Sequence, residues 1–99
     1  MKYVVAWESR QNISEELIAR GLQVFSKWTP SPNVTYREFL GRIDNSGGFA
    51  VVETDDPRGL ARDASVFEPY FYVQIHPVLE VTEAAEVGGE AVQFRSSIG

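Results

Sequence analysis

No cysteine occurs in the 99-residue chain. Disulfides, thiol catalysis and thiolate metal sites are thereby excluded. Histidine is nearly as scarce, with His76 the single copy. A multi-histidine metal centre is impossible, and the Asp and Glu residues show no spaced ligand motif, so no metal is expected. Positive charge is also short: 9 Lys and Arg stand against 14 Asp and Glu, a net charge of −5. That balance argues against nucleic-acid partners, because their affinity rests on cations neutralising phosphates. Long apolar runs are missing as well. The opening "MKYVVAWESR" is broken by Glu8 and Arg10, too early for a signal-peptide core or a membrane span. A soluble, cytoplasmic protein with no membrane partner is expected.

What is present is a globular composition, 43% hydrophobic and 12% aromatic, of a size that suits one domain. A chain this short buries a small fraction of its surface, and self-association is a natural way to bury more. Residues 2–8, "KYVVAWE", are β-branched and aromatic and predict a strand. "NISEELIARGLQVFSKW" predicts a helix, started by Asn12 or Ser14 with the acids behind it. Leu17, Ile18, Leu22, Phe25 and Trp28 recur on one face of it, and "TPSPN" forbids its continuation. "VTYREFLGRID" and "GFAVVETD" predict a hairpin around "NSG". "DPRGLARDASVFEP" predicts a second helix, with Asp56 at the cap, Pro57 in the first helical position, and Leu60, Ala64 and Phe67 facing inward. "YFYVQIHPVLEV" alternates as a fourth strand, and Pro77 places it at a sheet edge or a bulge. Residues 83–99 are expected to form a tail after a 1–82 domain, with a short extra strand around Ala91–Arg95.

The order β-α-β-β-α-β predicts an α+β, ferredoxin-like fold: an antiparallel four-stranded sheet with two helices on one face. With Ser46-Gly47 as the hairpin tip, Phe39, Gly41, Ile43, Ala50 and Val52 fall beneath the helices. Tyr36, Glu38, Leu40, Arg42, Phe49, Val51 and Glu53 fall on the opposite face, with Arg42 opposite Val51 and Leu40 opposite Glu53. On the last strand Phe71, Val73 and Ile75 share one face. Tyr70, Tyr72, Gln74, His76 and Val78 share the other. This outer set combines aromatic bodies with polar tips, as expected of a surface that meets another sheet or lines a cavity.

Three stretches carry a family resemblance: "MKYVVAW", "VFSKWTPSPNVTYREFLGRIDNSGGFAVVETDD" and "FYVQIHPVLEV". Covering most of residues 1–82, they resemble a bacterial family of small proteins catalogued as a domain of unknown function, within the dimeric α+β barrel superfamily. The resemblance implies a homodimer in which two sheets pack back to back. Members of the superfamily include cofactor-free monooxygenases, isomerases, dehydratases and haem binders, so it implies no particular reaction, and it brings no catalytic residues with it.

The chemistry-bearing residues are few. His76 has the only side chain whose ordinary pKa is near neutrality; it is a candidate general base, against the simpler reading of a hydrogen-bonded interface histidine. Arg42 and Glu53 are candidates for a cross-strand pair that binds a carboxylate or enolate, against a plain interface salt bridge. Tyr36, Tyr72, Trp28 and Trp7 are candidates to line a pocket for an aromatic ligand, although packing explains them equally well. "SGGFAVVET" partly matches the third strand of the RNA-recognition motif, but the leading base is Gly47 and later aromatic positions hold Val51 and Thr54. "DNSGG" joins strand to strand, whereas phosphate loops open a helix. No nucleic acid and no cofactor is expected. Two functional readings stand. In the first, a homodimer binds a small organic ligand and acts as a cofactor-free enzyme, with His76 as base, Arg42 stabilising an oxyanion, and Tyr36 or Tyr72 orienting the substrate. In the second, it is a non-catalytic dimeric sensor or accessory protein.

Overall fold

The computed structural model describes all residues, Met1–Gly99. Its elements run β1 (Lys2–Ser9), α1 (Glu15–Lys27), β2 (Val34–Gly41), β3 (Gly47–Thr54), α2 (Pro57–Phe67), β4 (Phe71–Val78) and α3 (Val81–Ser97). The four strands form one antiparallel sheet in the order β2-β3-β1-β4. This is an α+β fold whose first six elements follow the predicted βαββαβ order. Pro77 lies on the edge strand β4, where a residue without an N–H costs the sheet least.

Local chemistry sets the helix ends. Ser14 caps α1, its Oγ accepting from the Leu17 amide at 3.2 Å, while Asn12 takes a left-handed turn at φ 59° just before it. Lys27 sits in the last turn, where a cation suits the helix dipole. Asp56 occupies the cap position of α2 and Pro57 begins the helix, but the Asp56 side chain makes no capping bond. Thr54 orders this junction instead: its Oγ1 donates to the Asn33 carbonyl at 2.7 Å and accepts from the Asp56 amide at 2.9 Å.

Residues 81–97 form a helix, and this corrects the expectation of a polar tail with a strand at Ala91–Arg95. Two adjacent glycines, Gly88 and Gly89, and the scattered small residues made the segment read as irregular. Helix α3 has no buried residue and projects from the body, giving the molecule extents of 61 × 31 × 20 Å. The Lys2 ammonium, paired with Glu80, ties its start to β1.

The hairpin register also differs from expectation. Leu40 pairs with Phe49 and Gly41 with Gly48, so the turn is centred on Asp44 and Asn45. The slip from the predicted pairing is an even number of residues, and side chains alternate with period two, so Phe39, Ala50 and Val52 keep their face beneath the helices. A bulge between Tyr36 and Glu38 then turns the first part of β2 over. Tyr36 consequently lies on the helix-covered face, not on the outer one. Arg42 and Ile43 leave the sheet for the turn, Ile43 being fully exposed. Tyr70 precedes β4 and is buried against α1, where a Cβ on Gly21 would stand 3.2 Å from its ring.

The small core is Val5, Val34, Ala50, Val52 and Leu60, with Tyr3, Trp7, Tyr36 and Val73 packed against it. It sits where α2 crosses the sheet. Helix α1 rides higher: Gly21 is its one buried residue, and Leu17, Ile18, Leu22 and Phe25 remain 44–67% exposed. The space left beneath α1 becomes the site.

Candidate functional site: a ring-walled cavity between the helices and the sheet

A cavity of about 710 Å³ lies between the inner faces of α1 and α2 and the sheet, and 17 of its 24 lining residues are hydrophobic. Its most distinctive wall is a connected set of six rings, Trp7, Phe25, Trp28, Tyr36, Phe39 and Phe67. Trp28 stands edge-on to Tyr36 (5.4 Å between centroids) and to Phe67 (5.2 Å). Phe39 stacks on Tyr36 at 5.3 Å and meets the edge of Trp7 at 5.3 Å. Phe25 reaches down from α1 to within 5.8 Å of Phe39. Offset and edge-to-face pairs of this kind stabilise beyond the area they bury. Trp28 takes part because α1 stops at Lys27 and the extended backbone at Trp28 turns its ring back over the sheet.

Close backbone approach shapes the floor. A Cβ on Gly48 would stand 2.3 Å from the Trp7 ring and 2.2 Å from the Leu40 carbonyl. A Cβ on Gly47, at φ 157°, would collide with the Trp7 carbonyl at 1.9 Å. The two glycines thus let Trp7 lie close across β3.

Polar groups occur at two separate ends. At one, the Asp63 carboxylate of α2 is 2% exposed. It accepts from the Ser31 hydroxyl at 2.7 Å, the Ser31 amide at 3.0 Å and the Tyr36 hydroxyl at 3.0 Å. Arg62 completes the cluster, donating to Ser31 Oγ at 3.0 Å. Burial pushes the Tyr36 phenol pKa well above its usual value, and the adjacent Asp63 charge and the hydrogen bond to it push the same way. Tyr36 is therefore a neutral donor to Asp63, with its oxygen lone pairs left as acceptors. At the other end stand Ser9, Arg42 and Asn45. They are brought together because the Ser9 amide donates to the Ser46 carbonyl at 2.8 Å and the Arg42 amide to the Gly47 carbonyl at 2.8 Å. Asp44 fixes this turn, accepting from the Ser46 hydroxyl at 2.6 Å and amide at 3.0 Å, and from Arg42 Nη2 at 3.1 Å. Those Ser46 bonds, with Arg42 beside them, hold the Asp44 carboxyl below its ordinary pKa.

The candidates named from the sequence divide between the two faces. Arg42, Tyr36, Trp28 and Trp7 line the cavity. His76, Glu53 and Tyr72 lie on the outer face of the sheet, and none of them lines the cavity. The expected Arg42–Glu53 pair does not form: Arg42 is bound to Asp44, and Glu53 to Arg37 at 3.1 Å. The residue missed was Asp63. Its one sequence signal was an acid on the inner face of the α2 pattern, one residue before Ala64, where an apolar side chain is the rule. No cluster of acidic and histidine side chains is arranged to hold a metal ion, and no helix is long and apolar enough to cross a membrane.

None of the curated proteins compared with the chain matches it. Residues 1–92, which take in the whole sheet and most of α3, match the family described as Domain of unknown function (DUF3303), and the chain belongs to that family.

Proposed function

We propose that the protein is a homodimeric domain that binds a small organic ligand in the cavity between its helices and its sheet. The observation that carries this reading is the cavity itself. A space of about 710 Å³ walled by six rings falls within the range typical of ligand sites, which are apolar with a few placed polar groups. A fold built only for packing would close it, since interiors are dense and each void forfeits contact energy. Trp7 and Trp28 are the only tryptophans, and both line the cavity, so their fluorescence reports its occupancy. Saturable quenching or a blue shift on titration with 1-decanol is the expected result. Ala64→Phe, which fills the cavity from α2, should abolish it with the circular dichroism unchanged. No saturable response in the unaltered protein would refute the reading.

The binding function is favoured over a cofactor-free enzyme. A base would have to stand at the ligand, yet His76 is on the other face of the sheet, and the Asp63 oxygens already accept from Ser31 and Tyr36. Arg42 and Tyr36 remain as groups that orient a ligand. A non-catalytic sensor or accessory role follows from the same arrangement. A cytoplasmic setting accompanies it, in keeping with the cysteine-free composition.

The dimer part of the proposal rests on the outer face of the sheet. Leu40, Phe49 and Tyr72 are 53%, 45% and 51% exposed there, beside Val4, Ala6 and Val51. Helix α3 supports it too. Two mid-helix glycines cost about 1 kcal/mol each, isolated helices of this length are marginal, and Val87, Val92 and Phe94 stand exposed on it. Pairing through the sheet faces, as in the dimeric α+β barrel superfamily that the chain resembles, covers this surface. Sedimentation equilibrium should return a dimer that Leu40→Glu converts to monomer; a monomer for the unaltered chain would remove this part.

A further inference from the structure

We propose that the ligand is an amphipathic organic carboxylate, its apolar body lying along the ring wall and its carboxylate bound by Arg42 at the hairpin end of the cavity. The assignment rests on the cavity being a ligand site and adds the chemical class. Of the residues lining the cavity, only Arg42 and Asp63 carry charge, and their situations differ. Asp63 is almost fully buried, and three donors from Ser31 and Tyr36 occupy it. Its oxygens are thus already engaged, on the side of the loop that it anchors.

Arg42 is half exposed and gives only one Nη2 bond to protein, to Asp44 at 3.1 Å. Its Nε and Nη1 have no protein partner, and the Asp44 contact holds the guanidinium at the rim. Ser9 and Asn45 stand at the same end, adding neutral donors beside the cation. A planar guanidinium with free donors matches a carboxylate through paired, charge-assisted bonds. From Gly41, next to Arg42, to Tyr36 the cavity runs along the sheet over the β3 stretch from Gly48 to Val52, about 13 Å at ~3.3 Å per residue, with apolar rings along the way. A rim with an available cation, a long apolar wall and a far end whose polar groups are already bonded to one another together describe a site for an amphiphile entering tail first.

The test compares decanoate, 1-decanol and decylamine, below their micellar concentrations, by tryptophan fluorescence of the full chain at low and high salt. Decanoate should bind about tenfold tighter than decanol, the scale of one charge-assisted contact, and the advantage should shrink at high salt. Arg42→Gln should bring decanoate down to the decanol level. Arg37→Gln, on the outer face, should leave the preference intact. Decanoate binding no tighter than decanol, or keeping its advantage in Arg42→Gln, would overturn the assignment while leaving the cavity a ligand site. Tightest binding by decylamine would overturn it in favour of Asp63 as the charged group at the ligand. Failure of all three ligands to bind would remove the ligand site and this assignment with it.

Discussion

Replacing Asp63 by Asn is the sharpest probe of what holds the cavity open. The substitution is nearly isosteric, so it creates no void, and the change is confined to charge and hydrogen bonding. Three donors converge on the carboxylate: the Ser31 amide, the Ser31 hydroxyl and the Tyr36 hydroxyl. Bonds to a charged acceptor contribute about 1.5–3 kcal/mol each, against about 0.5–1.5 for neutral ones. Losing charge assistance on all three therefore costs ~3 kcal/mol. An amide also presents two donors where the carboxylate presented only acceptors, so the Tyr36 bond must reverse or break. Against this, removing a buried charge relieves desolvation. The net expectation is a loss of about 2 kcal/mol, or ~8–16 °C in Tm for a domain of this size, read by thermal melting followed by circular dichroism. A second readout isolates the cause: with the Asp63 charge gone, Tyr36 should ionise at a lower pH than in the parent, seen by ultraviolet titration of the phenolate. An unchanged or raised Tm would mean that burial of the carboxylate costs more than its bonds return, and would refute the view of Asp63 as the anchor between α2, Tyr36 and the loop carrying Ser31.

Two further predictions concern the same wall. Gly48→Ala should cost about 3 kcal/mol, at the upper end for overpacking, because the new methyl meets the fixed Leu40 carbonyl as well as the Trp7 ring; a lowered Tm with an altered tryptophan spectrum is expected, and a silent substitution would show that the Trp7 contact is looser than described. Alkaline stability should follow Tyr36. Its folded pKa is raised by burial first and Asp63 second, so its contribution is fully present below the unfolded value near pH 10 and is lost as pH rises beyond it. The urea midpoint of the parent should fall more steeply above about pH 10 than that of Tyr36→Phe; equal slopes would contradict the assignment.

Local patterning in the sequence sets the first six elements and their order. Period-two and period-3.6 patterns, the Ser14 cap, Pro57 at a helix start and Pro77 on an edge are local rules acting within a few residues, and each sits where it was expected. It also named Arg42, Tyr36 and Trp28, because long aromatic and cationic side chains in a small acidic protein are few enough to stand out. Only the tertiary structure decided which of these meet. The bulge after Tyr36 moves that residue from the outer face to the inner one, and no residue in "TYREF" marks it, since a bulge is set by how two strands pair. The hairpin turn at Asp44 and Asn45 carries Arg42 out of the sheet and to the cavity rim, away from Glu53. Asp63 escapes a local reading because its donors, Ser31 and Tyr36, stand 32 and 27 residues away. Helix α3 hid behind two glycines. The strands and first two helices are products of local patterning, whereas the cavity depends on pairing and packing between distant segments, and it is there that the division between the ring-walled inner face and the His76 face is made.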